Sequence, residues 1–316
     1  MKKYDVFGIG TALVDYFAKC TEDFLSKNNL IKGATNMVPR ERLDELHSRL
    51  ADSVFLQLPG DNARNTCEGV TYLGGKTAYA SSVGEDPEGE FFEKSIAARG
   101  ITPYVVRKPG RTGKIIALIT RDGQRTFAVD LGNGSDLNSV PAEEIKNSNY
   151  LYLTSITLLA SGSISGVARD AIETARQHGV KIALSLESPP MIAENRARLL
   201  RTVELADALF ANSEELEALA GEPVGKNAKI VTDRVGLMFL KRDRNGSTVF
   251  SQGGKFLIPA YSQNPLDTTG AGDFYSAGVL FALGRGKSPE EAGHVGAKLA
   301  AKVVERFGAT AYDPAP

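Results

Sequence analysis

Residues 150–186, YLYLTSITLLASGSISGVARDAIETARQHGVKIALSL, form the stretch that decides the fold class. Apolar, β-prone runs at 150–156 and 180–186 predict two strands, and the helical spacing of apolar residues at 163–177 predicts a helix between them. Two strands joined through a helix of this length are typical of a βαβ unit, in which both strands run parallel within one sheet. The stretch therefore predicts an α/β protein.

The same alternation continues downstream, with a strand predicted at 208–211 and a helix at 213–220 that Gly221 ends. Repeated βαβ units predict a mostly parallel sheet with helices on both faces. Residues 236–261 break this rhythm, because turn sequences at 244–246 and 253–254 separate β-prone runs. We therefore expect antiparallel strands to finish one edge of the sheet.

Residues 114–130, KIIALITRDGQRTFAVD, also depart from the alternation. Asp122-Gly123 lies between two β-prone runs, which predicts a hairpin. We expect this hairpin and parts of the first 50 residues to form a small β lid that closes over ligand and excludes water. An ordinary hairpin at a sheet edge is the alternative.

Composition limits the classes of partner. The 316 residues are 42% hydrophobic and 24% charged with a net charge of −1, so a sizeable core is expected, and neither nucleic acid nor a membrane is expected as a main partner. No apolar run approaches the roughly 18 residues of a transmembrane helix, and the first residues do not resemble a signal peptide. Cys20 and Cys67 lack metal or disulfide spacing and predict buried thiols in a reducing compartment, the cytoplasm.

The segment DTTGAGD, Asp267 to Asp273, carries the chemistry. It follows β-prone residues and leads into a predicted helix, so its glycines present free backbone N–H groups at a helix start. Gly270 and Gly272 allow close approach of an anion, phosphate above all.

Asp273 lies in the first turn of this helix, beside the expected anion. Phosphoryl transfer needs a stabilised phosphate and a group that takes the proton of the acceptor hydroxyl. A carboxylate at a helix start is held in its charged form and can serve as that group. The alternative is an aspartate that only caps the helix.

This order of residues resembles the C-terminal signature of the ribokinase-like (PfkB-type) carbohydrate kinase family. YDVFGIGTALVD at 4–15, residues 72–92, DGQRT at 122–126 and AAKVVERFGAT at 300–310 are similar to the adenosine-kinase-like branch of that family. The resemblance implies one domain over residues 1–316 with a three-layer fold: a central, mostly parallel sheet and a small β lid formed from about 11–50 and 104–132.

The resemblance also implies roles for single residues. Gly270, Ala271 and Gly272 would form the anion hole for the transferring phosphate, with Thr268 beside them in the nucleotide site. Asp273 would take the proton of the attacking hydroxyl. Asp15 would bind substrate hydroxyls.

The segment NSEE fits the family's N-x-x-E motif, in which Asn212 and Glu215 would organise Mg²⁺ and the nucleotide phosphates, Glu215 acting on the metal through water. An N-cap followed by acidic residues in the first turn of a helix is the other interpretation. Both can hold together.

Two segments depart from the family pattern. Where the family has a Gly-Gly pair followed by Asn, this chain has GDNARN, so the predicted substrate-binding residues are Gly60, Asp61, Asn62, Arg64 and Asn65. Carboxylate and guanidinium groups here could bind several hydroxyls, as sugar recognition requires. The alternative is that Asp61 or Asn62 only caps the following helix.

The second departure is KRDRNG, where the family more often has T-x-G-x-x-G near the nucleotide phosphates. Lys241, Asp243 and Gly246 are accordingly predicted in the nucleotide site, and Lys241 or Arg244 could offset the charge of Asp243 by binding phosphate. A solvated hairpin tip is the alternative.

Together these features predict an enzyme, a kinase that uses ATP and Mg²⁺ and phosphorylates a hydroxyl, expected to be primary, of a sugar or glycoside, with oligosaccharide-like compounds such as acarbose included. A nucleoside kinase of the adenosine type is the alternative, and a non-catalytic sugar or nucleotide sensor on the same fold is a second. The resemblance also implies activation by K⁺, without assignable ligands, and a monomer or a lid-mediated homodimer.

Overall fold

The structure is a computed structural model that describes residues 2–222, 231–262 and 265–312. Its strands have these bounds: β1 Tyr4–Ile9, β2 Leu13–Lys19, β3 Thr35–Met37, β4 Val54–Gly60, β5 Thr77–Gly84, β6 Ile101–Lys108, β7 Thr112–Ile119, β8 Arg125–Gly132, β9 Ser148–Thr154, β10 Lys181–Ser185, β11 Ala208–Asn212, β12 Leu237–Lys241, β13 Ser247–Ser251 and β14 Gly254–Ile258.

The larger sheet has the strand order β14-β13-β12-β11-β10-β9-β1-β5-β6. Neighbouring strands from β12 to β6 in this order pair parallel, whereas β13 and β14 run antiparallel to their neighbours. The predicted α/β class and the predicted antiparallel edge are both confirmed.

The helices of the described residues are Glu22–Lys27, Arg40–Arg49, Asn62–Tyr72, Pro87–Ala98, Ala142–Lys146, Ser155–Leu159, Ile164–Gln177, Pro189–Glu194, Arg196–Val203, Ser213–Ala220, Ala271–Leu283 (the motif helix) and Pro289–Val303. The Ser213–Ala220 helix has the predicted bounds, because Asn212 caps its start and Gly221, with a φ of 77°, ends it. The strand predicted at 150–156 ends earlier, at Thr154, whose side chain caps the Ser155–Leu159 helix instead.

The side chains of the larger sheet alternate between two apolar cores, one on each face. Leu151 and Leu153 of β9 belong to the core under the Ile164–Gln177 helix, whereas Tyr150 and Tyr152 belong to the core under the motif helix. Because successive side chains of a strand point to opposite faces, this division gives three layers, helix, sheet and helix.

A second sheet of five strands has the order β3-β8-β7-β2-β4. The predicted hairpin is confirmed, since β7 and β8 pair antiparallel on either side of Asp122-Gly123. Two bounds differ from the predicted lid, because β4 also joins this sheet and residues 104–108 belong to β6 of the larger sheet. Its action as a lid and the single-domain organisation stay predictions.

Across the described ranges, the search for a helix of bilayer-spanning length and apolarity finds none.

Candidate active site

The candidate site lies where neighbouring parallel strands of the larger sheet end. β10, β11 and β12 end side by side, and the register of β11 and β12 places Asn212 opposite Lys241. The motif helix begins at Ala271, next to these strand ends. Open α/β sheets bind ligands outside the carboxyl ends of their strands, so the location alone makes this edge a candidate site.

The turn before the motif helix requires glycine at position 270. Gly270 has a φ of 77°, and a Cβ there would lie 2.5 Å from the Cβ of Ala309. No side chain caps this helix start, although the N–H of Ala271 donates to the carbonyl of the exposed Thr268 at 3.2 Å. Of the three predicted anion-hole residues, Ala271 therefore has its N–H engaged within the turn. The start of the helix keeps the positive end of its dipole directed at the strand ends.

Asp273 is held in place in the first turn of the motif helix. Its side chain is buried, and the Asn65 side-chain amide donates to Oδ2 at 2.9 Å. Burial raises the pKa of Asp273 to about 7, while the hydrogen bond from Asn65 and the charge of Lys241 act in the opposite direction. The expectation that the helix start holds this carboxylate in its charged form is therefore wrong, because burial outweighs the contacts that favour the charge. The structure thus brings together the predicted base and a residue from the GDNARN segment.

Lys241 lies over the start of the motif helix. A Cβ at Gly272 would come within 2.9 Å of the Lys241 Nζ, so the absence of a side chain at 272 leaves room for the ammonium group. An ammonium beside a helix N-terminus strengthens a site for phosphate. Lys241 is therefore the member of the KRDRNG segment that reaches the motif.

The rest of that segment forms a tight turn, Asp243–Asn245. Asp243 is exposed and has a φ of 48°, a conformation that favours glycine. Gly246 is needed because a Cβ there would lie 2.0 Å from the carbonyl oxygen of Ile258. Asp243 thus has a backbone conformation that glycine, the residue the family more often has at this position, adopts more readily.

Asn212 and Glu215 form a capping box. The Glu215 N–H donates to Asn212 Oδ1 at 2.8 Å, and the Asn212 N–H donates to Glu215 Oε2 at 2.7 Å. Burial raises the pKa of Glu215, and the charge of Lys241 lowers it. The capping interpretation is confirmed, and it also fixes both side chains at the strand ends.

Glu187 is a site residue that the sequence interpretation missed. It follows β10, is only 8% exposed, and its Oε1 has no hydrogen-bond partner among the described residues. Burial raises its pKa well above the usual range, the charge of Asp273 raises it further, and a hydrogen bond with Asn62 lowers it. A carboxylate directly after a predicted parallel strand was the signal available in the sequence.

Asp15 lies on β2 of the second sheet and faces Gly60 of β4. A Cβ at Gly60 would lie 2.7 Å from Asp15 Oδ2, so the carboxylate occupies the space that this glycine leaves. Burial raises the pKa of Asp15 to about 7, and the positive charge of Arg64 lowers it.

The carboxylate of Asp61 accepts hydrogen bonds from other residues of this chain. It caps the Asn62–Tyr72 helix through the Arg64 N–H at 3.0 Å and accepts from the Thr11 N–H at 3.0 Å and from the Tyr79 hydroxyl at 3.0 Å. Its φ of 118° is unusual for a residue with a side chain. Asp61 therefore caps this helix, and its contact with a substrate stays a prediction.

Arg64 is 1% exposed and forms an ion pair with the fully buried Glu68. Glu68 in turn accepts from the Thr310 hydroxyl at 2.6 Å and from the Ala311 N–H at 3.2 Å. The guanidinium predicted to bind substrate thus joins the Asn62–Tyr72 helix to the C-terminal segment.

Arg125 is a second residue that sequence reasoning missed. It stands at the start of β8 in the second sheet, and its Nη1 contacts both Asp267 Oδ1 and Thr269 Oγ1 of the DTTGAGD segment. Asp267 is buried and accepts from the Thr269 N–H at 2.7 Å and the Gly308 N–H at 2.9 Å. The signal was present in DGQRT, whose arginine follows the hairpin turn.

Within the described residues, no group of three or more His, Cys, Asp or Glu side chains could hold a metal ion. Mg²⁺ in nucleotide sites is commonly held by one or two carboxylates, water and substrate phosphates, so such a group is not required. The unpartnered Glu187 Oε1 and the buried Glu215 fit that way of binding.

Residues 29–316 match the family described as pfkB family carbohydrate kinase. Among solved structures, the chain is similar to the adenosine kinase from Sinorhizobium meliloti, at 30% identity and a TM-score of 0.88, over 98% of this chain and 96% of that one. It is also similar to a probable sugar kinase protein from Rhizobium etli, at 27% identity and a TM-score of 0.88, over 98% and 96% of the two chains. A fructokinase from Klebsiella pneumoniae is 29% identical over 241 residues, 72% of this chain and 78% of the relative.

Proposed function

Because this chain belongs to the pfkB family of carbohydrate kinases and is a small-molecule kinase, we propose that it transfers the γ-phosphoryl group of ATP to a primary hydroxyl of a sugar or nucleoside. The observation that carries the proposal is Asp273, a buried carboxylate at an uncapped helix start, with the Lys241 ammonium over the same turn. Kinase chemistry needs this combination of a proton acceptor and a phosphate site.

In this proposal Asp273 accepts the proton of the acceptor hydroxyl. The oxygen of that hydroxyl attacks the γ-phosphorus, and the bond between the γ-phosphorus and the oxygen of the leaving ADP breaks. Asn65 orients the carboxylate through its hydrogen bond of 2.9 Å. Lys241, the free N–H groups of the motif helix and the guanidinium of Arg125 stabilise the phosphate charge. The side chain of Asp15 binds acceptor hydroxyls from the second sheet.

Mg²⁺ would be held by the nucleotide phosphates and by water bound to Glu215 and Glu187. When bound, it would neutralise charge on the β- and γ-phosphates. Glu187 Oε1, which has no partner among the described residues, is placed to accept from such a water. Activation by K⁺ and the monomer or lid-mediated dimer stay predictions.

Two classes of acceptor, nucleosides and free sugars, are compatible with the proposed reaction. Asp61 and Arg64 favoured a polyhydroxylated acceptor, but both side chains have internal partners. An adenosine kinase at 30% identity over 98% of the chain favours a nucleoside, and a fructokinase at 29% identity favours a free sugar. Nothing supports an oligosaccharide-like acceptor such as acarbose, and because the protein is a kinase we do not propose the non-catalytic sensor.

The test is ADP release from ATP and Mg²⁺ across a panel of nucleosides and monosaccharides. Asp273→Asn should bind ATP but lose turnover by about a thousandfold, because it cannot accept the proton. Asp52→Asn, the same change at an exposed position, is the matched control and should behave as the unchanged protein. Near-normal turnover of Asp273→Asn on the best acceptor would refute the assigned role of Asp273.

The same panel separates the two acceptor classes. A nucleoside acceptor should be inhibited competitively by other nucleosides and not by free sugars, and a monosaccharide acceptor should show the reverse. Asp15→Asn should raise KM for the acceptor by about tenfold to a hundredfold in either case, because it removes a charged hydrogen-bond acceptor for its hydroxyls.

A further inference from the structure

A cleft lies between the Ile164–Gln177 and Arg196–Val203 helices, away from the candidate active site. Its volume is about 750 Å³, within the range of small-molecule sites. Ile172 and Leu158 in its lining belong to the core on the face of the larger sheet opposite to the motif helix. The cleft is therefore separated from Asp273 by the sheet.

Charge distinguishes this cleft from an ordinary groove between two helices. Four arginines line it, Arg169, Arg176, Arg198 and Arg201, whereas Glu173 is the single acidic residue in the lining. Guanidinium groups that line one cleft repel one another unless an anion lies between them. Consistent with this, burial and then the charge of Arg169 lower the pKa of Arg198.

Three of these arginines have no hydrogen-bond or ion-pair partner within the part of the chain that the structure describes. Arg169, Arg176 and Arg201 are exposed, and none of their side chains takes part in the hydrogen bonds or ion pairs found there. Arg198 is the exception, since its Nη2 donates to the Leu158 carbonyl at 2.7 Å, which fixes one guanidinium at the cleft wall. The free donors of the other three point to a ligand as their partner.

The lining also contains apolar side chains. Leu158, Ile172 and Leu205 contribute to it. Leu158 and Ile172 are buried members of the core, and Leu205 is partly buried against it. Arginines around an apolar surface suit a ligand that combines phosphate groups with an organic part, since guanidinium binds phosphate bidentately and also stacks on planar groups.

We propose that this arginine cleft binds a small phosphorylated organic anion, at a site separate from the active site. The shared chemistry is at least two negative charges on phosphate and a neutral organic moiety. A nucleotide and a sugar bisphosphate both meet it. The proposal does not depend on the identity of the acceptor in the kinase reaction.

Isothermal titration calorimetry on the full chain tests the proposal with three probes: ADP, fructose 1,6-bisphosphate and inorganic pyrophosphate. The test variant is Arg169→Ala/Arg201→Ala, which removes two exposed charges from the cleft. The matched control is Lys27→Ala/Lys94→Ala, which removes two exposed charges elsewhere, 69% and 75% accessible as side chains. Circular dichroism should show the same thermal unfolding for both variants.

We expect ADP or fructose 1,6-bisphosphate to lose about tenfold or more in affinity in the test variant, and none in the control, because each lost bidentate contact costs at least that much. For ADP, the loss should remove one of two binding events, because the active site remains. If all three probes bind the test variant and the unchanged protein alike, the proposal is refuted. Binding of pyrophosphate alone would refute the organic ligand.

Discussion

Burial raises the pKa of Asp273 to about 7, although a carboxylate that accepts a proton must first be ionised. Burial likewise raises the pKa of Asp15 to about 7. Both groups are ionised only as the pH rises through that value. Near neutrality, each group is poised between its two forms, which suits a general base.

We therefore expect kcat/KM to rise with pH and to level off above about pH 7. Because two groups with a pKa of about 7 must both lose a proton, the acidic limb of the log plot should approach a slope of two. Asp15→Asn should reduce that slope to one while the limb itself remains. A flat profile between about pH 5.5 and 8 would contradict the assignment of either group.

The same shift has a consequence for stability. The folded-state pKa of Asp273 lies above its unfolded value of 3.8, so the fold favours the protonated form, and its contribution to stability is lost as the pH rises through about 7. Asp273→Asn should therefore raise the free energy of unfolding by about 1–3 kcal/mol at pH 8, and by less at pH 5. Urea denaturation at both pH values measures this, and Asp52→Asn provides the comparison. If Asp273→Asn lowers the free energy of unfolding at pH 8, the burial of the charged carboxylate does not destabilise the fold, and the prediction is wrong.

At the scale of the element, the Asn62–Tyr72 helix starts from a strained residue. The φ of 118° at Asp61 favours glycine, yet the carboxylate caps the helix and binds the Thr11 N–H and the Tyr79 hydroxyl. The hydrogen bonds offset a backbone conformation that costs on the order of 1–3 kcal/mol.

A matched pair of substitutions separates these two effects. Asp61→Ala and Asp61→Gly both remove the carboxylate, but only glycine relieves the backbone. Asp61→Gly should therefore be less destabilising than Asp61→Ala by about 1 kcal/mol, with both less stable than the unchanged protein. Thermal or urea unfolding measures the order, and the reverse order would show that the backbone at 61 is not strained.

Elements with their own local signals were predictable from the sequence. The Ser213–Ala220 helix has its cap at Asn212 and its stop at Gly221 within the same ten residues, so its bounds needed no distant information. The role of Arg64, in contrast, depends on contacts with distant parts of the chain. Its polar neighbours suggested a ligand, but Glu68 is buried through contacts with Thr310 and Ala311, more than 240 positions further along the chain.

In the candidate active site, too, some residues were predictable from local sequence and others depend on distant parts of the chain. Asp273 and the glycines of its turn were predictable, because one short segment holds both the anion site and the acid. The approach of Lys241 to Gly272 depends on the ending of β12 beside β11, and the position of Glu187 depends on the end of β10. Pairing between distant strands sets these positions, and no local pattern encodes them.

At the scale of the whole molecule, Arg125 connects the second sheet to the DTTGAGD segment. Its contacts with Asp267 and Thr269 are the direct side-chain link from the β7–β8 hairpin to the turn that precedes the motif helix among the described residues. In the proposed reaction this guanidinium would also face the transferring phosphate. Closure of the second sheet and stabilisation of phosphate charge would then depend on one side chain.

Arg125→Ala should lower kcat/KM by about tenfold to a hundredfold and speed amide hydrogen exchange in the hairpin, because both the charge and the docking contact are lost. Arg121→Ala, at an exposed position of the same hairpin, is the control and should leave both unchanged. Slower turnover without faster exchange would assign Arg125 to phosphate alone. Unchanged turnover with faster exchange would assign it to docking alone.

The position of β1 has a consequence for biosynthesis. The first strand of the chain order lies inside the larger sheet, between β5 and β9. A ribosome that has released residues 4–9 must therefore extend the chain to Thr154 before both edges of that strand are covered. Until then the nascent chain carries an apolar strand with an open edge, the kind of surface that chaperones protect and that aggregates if it is not protected.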